Sequence, residues 1–149
     1  MTETTRKEIQ QKLTGHLERW RTIEDKSARS AAEIAKSSDH PVLRTVMQII
    51  ESDSRRHAEV QQFVIDSLTE RAVSLTPEDL ADVWDRIEEH VALERKMIDE
   101  VRASLDAVAG KQLMVQEYLL RYLLADERKH DQMLSDLDAI KRGMVPYGS

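Results

Sequence analysis

The stretch LLRYLLADERKHDQMLSDLDAI, residues 119–140, decides the fold class of this chain. Its apolar residues recur at alternating spacings of three and four, which is the pattern of an α-helix with one face turned toward a core. Asp126 and His130 interrupt that face in its middle. Because burying an unpaired ion costs several kcal/mol, these two residues predict a specific partner at this depth.

The polar interruption occurs twice in the chain. The segment DSRRH, residues 53–57, precedes the segment DERKH, residues 126–130, by 73 residues, and both lie within an apolar helical stripe. At an offset of 70 residues, Glu24 aligns with Glu94, and each is the acid that interrupts another stripe. The sequence therefore predicts a duplicated helical hairpin, whose two copies bury their apolar faces together.

Composition favours an all-α protein with one domain, residues 1–149. Hydrophobic residues make up 40% of the chain and charged residues 34%, while four glycines, three prolines and one phenylalanine leave little material for an all-β fold. We predict an antiparallel four-helix bundle with helices at about 5–37, 40–68, 77–108 and 111–142. Trp20 and Met97 are expected in its core.

The short connection between the second and third predicted helices favours an up-down-up-down topology. Only about seven residues separate the two helical patterns, and at ~3.5 Å per residue they reach roughly 25 Å. Helices of about this length span ~40 Å, so the link is too short to run back along the bundle.

Charge and residue usage exclude several classes of function. The net charge of −6 and the pI of about 5.4 argue against nucleic acid as a partner. Without cysteine, a metal would be held by carboxylate, imidazole or water. No apolar run approaches the ~18 residues of a membrane span, and the polar start lacks the core of a signal peptide. We expect no membrane partner and a cytoplasmic location.

The rise per residue of an α-helix places the interrupting residues at one level along the predicted bundle. Counted from the hairpin turns, four residues lie about 14 to 17 positions away, within roughly one helical turn of each other: Glu24, Ser54, Glu94 and Glu127. His57 and His130 share this level, and Asp53, Asp126 and His90 lie within a turn of it. Such a buried layer must be neutralised, hydrated or metallated.

With these residues the chain resembles the ferritin-like family, including rubrerythrin-type and related diiron carboxylate proteins, over nearly its whole length. The family pattern is one glutamate from each of two helices and a Glu-x-x-His from each of the other two. The resemblance implies a dinuclear iron or manganese site. Its metal ligands would be Glu24, His57, Glu94, Glu127 and His130.

The chain departs from the family pattern at two points. Ser54 stands where the fourth glutamate belongs, so the dinuclear site lacks one carboxylate. Ferritin-like bundles also have a long crossover where this chain has a short link. Hemerythrin-type bundles have the simpler topology, and the spacing of His90 and Glu94 is similar to one of their motifs, but the chain has no His-x-x-x-His.

Two aspartates form an alternative set of polar residues. Asp53 and His57, like Asp126 and His130, stand four residues apart on one helical face. At this spacing the aspartate can chelate a metal with the histidine or orient the imidazole as a hydrogen-bond partner. His90, one helical turn from Glu94, is a further alternative ligand.

Two hypotheses about function follow. In the first, the protein binds metal and reacts with O₂ or peroxide as a ferroxidase, peroxidase or other oxidoreductase, as the family resemblance implies. In the second, it is a metal-free helical module with a degenerate site, whose polar layer fixes the register of the helices and whose surface mediates oligomerisation. A homo-oligomer is compatible with both, and the sequence identifies neither the metal nor the catalytic residues.

Overall fold

The computed structural model describes residues 2–147, and this part of the chain is helical, without strands. It contains five helices: α1 Glu3–Ser37, α2 Pro41–Thr69, α3 Pro77–Ala81, α4 Trp84–Val108 and α5 Met114–Lys141. The all-α class is confirmed. The chain divides into two compact units, Met1–Val73 (unit 1) and Ser74–Ser149 (unit 2). The four-helix bundle predicted from both hairpins stays a prediction.

Unit 1 is a hairpin of α1 and α2, and its bounds lie within about two residues of those predicted. The Thr2 side chain accepts a hydrogen bond from the Thr5 amide and so caps α1. His40 caps α2, since its Nδ1 accepts from the Val42 amide at 3.2 Å, and Pro41 occupies the first helical position. The three-residue connection makes the two helices antiparallel neighbours.

Small residues line the contact between α1 and α2. The buried side chains of α1 include Ala28, Ala31 and Ala35, spaced three and four residues apart on one face. Alanine lets two helix axes approach closely, because little volume lies between them. The hairpin of unit 1 is therefore tightly packed along this part of its length.

Unit 2 contains α3, α4 and α5, and here one predicted helix is wrong. The sequence predicted a single helix over 77–108, whereas a turn at 82–83 divides it into α3 and α4. At this turn the Val83 amide donates to the Leu80 carbonyl at 3.2 Å, an i to i−3 bond that is tighter than the α-helical one. Leu80 and Trp84, on either side of the turn, are both buried.

The ends of α3 and α5 follow from local chemistry. Thr76 and Asp79 form a capping box in which each side chain accepts a hydrogen bond from the other's backbone amide. Helix α5 begins three residues later than predicted, because Gly110 and Gln112 have φ values of +69° and +58°. These left-handed conformations are incompatible with a right-handed helix.

Within the described part of the chain, no helix has both the length and the apolar composition needed to span a bilayer.

Candidate metal centre

Three of the five predicted ligands come together in unit 2. Glu94 projects from the middle of α4, and Glu127 and His130 project from α5, where their spacing of three residues places them on one face. One possible ligand atom from each residue lies within 4.8 Å of the other two. Glu94 is buried, with 3% of its surface exposed, and the other two are partly buried.

The imidazoles of unit 2 are arranged around the carboxylates. His130 Nδ1 lies 3.4 Å from Glu94 Oε1 and 3.7 Å from Glu127 Oε2. On the other side of the same ring, Nε2 lies 3.6 Å from Asp126 Oδ2. His90 Nε2 forms a 3.1 Å hydrogen bond with Glu94 Oε1. Thus Glu94 is the centre of the cluster, with His90 and Asp126 at its margins.

Glu94 and Glu127 differ in their affinity for a proton. A hydrogen bond between the two carboxyl groups is the largest influence, and it lowers the pKa of Glu94 and raises that of Glu127. Burial also raises the pKa of Glu127, whereas the imidazoles of His90 and His130 help to keep Glu94 charged. Glu127 therefore retains a proton to higher pH than its neighbour does.

Two buried oxygens of this pair lack a hydrogen-bond donor of the protein. Glu94 Oε2 and Glu127 Oε2 are inaccessible to solvent, and neither accepts a hydrogen bond from an N–H or O–H group of the described residues. A proton shared between the carboxyl groups would satisfy them, and so would a bound cation, because both supply positive charge to the same lone pairs.

Unit 1 brings together the other two predicted ligands, Glu24 and His57. Near them it has a pair of serine hydroxyls instead of a second carboxyl group. His57 Nδ1 lies 3.3 Å from Glu24 Oε1, which also accepts a 3.1 Å hydrogen bond from Trp20 Nε1. Ser54 is buried, and its hydroxyl lies 3.0 Å from that of Ser27. Ser54, at the position where the resemblance led us to look for a fourth glutamate, is thus already hydrogen-bonded.

The aspartates differ between the two units. Asp53 is exposed, and the imidazole of His57 is paired with Glu24. Asp126 is partly buried, lies near His130 and forms a 2.8 Å ion pair with Lys129. Only Asp126 therefore lies where an aspartate could orient the histidine of its own segment.

Three features of these sites were not anticipated. Trp20 and Met97, expected in the core, are 53% and 38% exposed. The opposite pKa shifts of Glu94 and Glu127 follow from the contact of two side chains on different helices. Gln61 is almost fully buried, and its only sequence signal is its position one turn after His57 on the same face of α2.

The chain was compared with protein-family models, with curated proteins and with solved structures, and none of the three comparisons gave a match. The resemblance to ferritin-like proteins thus rests on the residues quoted above.

Proposed function

We propose that this protein is a ferritin-like metalloprotein that binds iron or manganese through Glu94, Glu127 and His130. One observation carries the proposal: an imidazole nitrogen and two carboxylate oxygens lie within 4.8 Å of one another. The donor set also fits the metals, because carboxylate and imidazole groups together are common ligands of iron and manganese.

The charge of unit 2 supports cation binding. Residues 74–149 contain sixteen acidic and ten basic residues, whereas residues 1–73 contain twelve of each. The net charge of −6 thus belongs entirely to the unit that carries the three-residue cluster. A negative field of this kind raises the local concentration of cations.

The surrounding residues would hold the ligands in place. His90 Nε2 hydrogen-bonds Glu94 Oε1 and restricts the rotation of that carboxylate. Asp126, 3.6 Å from His130 Nε2, favours the imidazole orientation in which Nδ1 faces Glu94 and Glu127. A bound iron or manganese ion would supply redox chemistry toward O₂ or peroxide, which makes ferroxidase or peroxide-linked oxidoreductase activity the proposed reaction class.

A second candidate function is supported by unit 1. There the polar residues of the layer are partnered without a metal, through the Glu24–His57 and Ser27–Ser54 pairs. A layer satisfied in this way can fix the register of two helices. The second candidate is therefore a metal-free helical module for interaction with other proteins or with copies of itself.

Metal content discriminates between the two candidates. We expect protein from iron- and manganese-replete cells to contain about one or two metal ions per chain by elemental analysis, and Glu94→Ala or Glu127→Gln to reduce this content at least tenfold. Glu100→Gln, an exposed acid on the same helix, is the matched control and should retain the metal. Absence of stoichiometric metal would favour the metal-free module, and equal metal in all variants would mean that Glu94 and Glu127 are not the ligands.

Activity is tested separately from binding. If the bound metal is a ferroxidase centre, the wild-type protein should accelerate the oxidation of added Fe²⁺ in air, followed by the absorbance of Fe³⁺. The Glu100→Gln control should do the same, and Glu127→Gln should fall to the rate without protein. Metal binding without faster oxidation would keep the metal site and reject the ferroxidase reaction.

A further inference from the structure

Unit 1 contains an apolar groove beside the Glu24–His57 pair. Its volume is about 290 Å³, at the small end of the range of about 300–1,000 Å³ typical of ligand pockets. Side chains of α1 and α2 line it: Leu17, Trp20, His57, Val60, Gln61 and Val64. The groove is therefore large enough for a small molecule with an apolar body.

Gln61 is the unusual member of this lining. Only 4% of its surface is exposed, and neither Nε2 nor Oε1 has a hydrogen-bond partner among the described residues. Buried polar side-chain atoms are nearly always hydrogen-bonded, so an unpartnered amide indicates a missing partner. The corresponding position of unit 2, 73 residues later, is Leu134, so the hairpin plan itself does not require an amide here.

We propose that this groove binds a small molecule that joins an apolar body to a primary carboxamide. A primary carboxamide has both a donor and an acceptor, as Gln61 does, so the two amides can form a pair of hydrogen bonds. Both amide atoms of Gln61 are inaccessible to solvent in the groove wall, so binding requires this side chain to rotate toward the ligand. The apolar body then lies against Leu17, Val60 and the half-exposed ring of Trp20.

The hydrogen-bonding capacity of Gln61 favours a neutral amide over a carboxylate. A ligand carboxylate only accepts hydrogen bonds, so it would leave Gln61 Oε1 unpaired. Because the groove lies within unit 1, this proposal does not depend on metal binding by Glu94, Glu127 and His130.

The test is a nuclear magnetic resonance titration of the full-length, ¹⁵N-labelled protein with benzamide, benzoate and toluene. We expect benzamide to shift the side-chain amide signals of Gln61 and the indole N–H signal of Trp20 at millimolar concentration. Toluene and benzoate should bind about tenfold more weakly, since they lack the two-point hydrogen bond.

Two variants and a control locate the binding. Gln61→Leu, which introduces the residue found at the corresponding position of unit 2, should weaken benzamide binding about tenfold. Val60→Trp fills the groove without altering Gln61 and should also prevent binding, and position 60 is exposed enough to accept the larger ring. Gln11→Leu changes an exposed glutamine of α1 outside the groove and should leave binding unchanged.

Several results would overturn the proposal. Equal affinity for benzamide and toluene would mean that the groove is merely apolar, and unchanged benzamide binding by Val60→Trp would place the ligand elsewhere. Absence of any shift with benzamide at up to ~10 mM would also contradict it. The same holds if the signals of Gln61 and Trp20 respond to protein dilution and not to benzamide, because a second copy would then occupy the groove.

Discussion

The hairpins of units 1 and 2 share a plan and differ at two residues near their middle. Where unit 1 has Ser27 and Ser54, joined by a 3.0 Å hydrogen bond, unit 2 has Met97 and Glu127 at the corresponding positions. In unit 1 the acid and histidine are accompanied by a neutral hydroxyl pair. In unit 2 a second carboxyl group takes that place and requires a proton or a cation. These two exchanges are thus among the differences between a satisfied polar layer and a candidate metal site.

The two units also differ in the size of the side chains along the first helix of each hairpin. The buried Ala28, Ala31 and Ala35 of α1 correspond, at an offset of 70 residues, to Ile98, Val101 and Leu105 of α4. Larger side chains hold neighbouring helices farther apart, and α4 and α5 are in less extensive contact than α1 and α2. Unit 2 thus has larger side chains along this face and two carboxyl groups in its middle, whereas unit 1 has alanines and two hydroxyls.

The largest expected effect is a loss of metal affinity when Glu127 of unit 2 is replaced by serine, the residue that unit 1 has at the corresponding position. Glu127→Ser removes one of three candidate ligands and leaves Glu94 without its carboxyl partner. We expect the affinity for Mn²⁺, measured by calorimetric titration, to fall about 100-fold. Ser54→Ala in unit 1 is the control and should not change this affinity. A loss of similar size in the control would show that both hairpins contribute equally to binding.

The reverse exchange tests how well unit 1 tolerates a carboxylate. Ser54→Glu places a larger ionisable group at a buried position and breaks the bond to Ser27, so we expect the metal-free protein to lose about 2–4 kcal/mol of stability in urea unfolding. Because Glu24 and His57 are close by, added Mn²⁺ should restore part of this loss. Asp53→Glu, at the exposed neighbouring position, should be nearly neutral. Full stability of Ser54→Glu without metal would contradict the tight packing inferred for unit 1.

Loss of the hydrogen bond between Ser27 and Ser54 should lower the free energy of unfolding by less than Ser54→Glu does. Either single change to alanine removes one hydroxyl and leaves the other without its partner, so we expect each to cost about 1 kcal/mol of unfolding free energy. The double variant should cost less than the sum of the singles, because it leaves no unpaired hydroxyl. A urea-unfolding cycle of the four proteins measures this coupling, and strictly additive costs would mean that the bond contributes nothing to stability.

The smallest effect concerns α3, a helix that has no counterpart in unit 1. Hydrogen bonds from the Thr76 backbone amide and hydroxyl lower the pKa of Asp79 below its usual value of 3.8. A lowered carboxyl pKa contributes stability that is present above the usual value and is lost as the pH falls through the lowered one. The midpoint of thermal unfolding of Asp79→Asn should therefore lie slightly below that of wild type at pH 6, and the difference should shrink below pH 3.8. A constant difference over this range would assign the effect of Asp79 to something other than its charge.

The regular helices were predictable because their apolar spacing and caps are local. Thr76 and Pro77 marked the start of α3 correctly, and the stripe through Glu94 predicted the main part of α4. The turn at 82–83 was missed because the helical spacing continues across it: Leu80 and Trp84 are four residues apart and both are buried. The backbone distinguishes this turn from a continuous helix: Val83 has φ −113° and ψ 1°, and its amide donates to the Leu80 carbonyl.

The residue types of the candidate site and their depth in the hairpin were predictable. The Glu-x-x-His spacing indicates Glu127 and His130, and the single acid in the neighbouring apolar stripe indicates Glu94. The balance of charge at the site was not predictable, because the opposite pKa shifts of Glu94 and Glu127 depend on the distance and burial of two side chains from different helices. The role of Ser54 likewise required the position of Ser27, which a pattern within α2 alone does not contain. The complete five-ligand layer stays a prediction.

The two tryptophans supply each hairpin with a separate optical reporter. Trp84, the indole of unit 2, is 7% exposed and lies beneath Lys141 Nζ, which is 5.0 Å from the ring centre. Trp20, the indole of unit 1, is already 53% exposed to solvent in the folded protein. Unfolding of unit 2 should therefore shift fluorescence strongly to longer wavelength, while unfolding of unit 1 should change the emission wavelength little. With one tryptophan at a time replaced by phenylalanine, the cooperativity between the hairpins can be read directly from the two emission spectra.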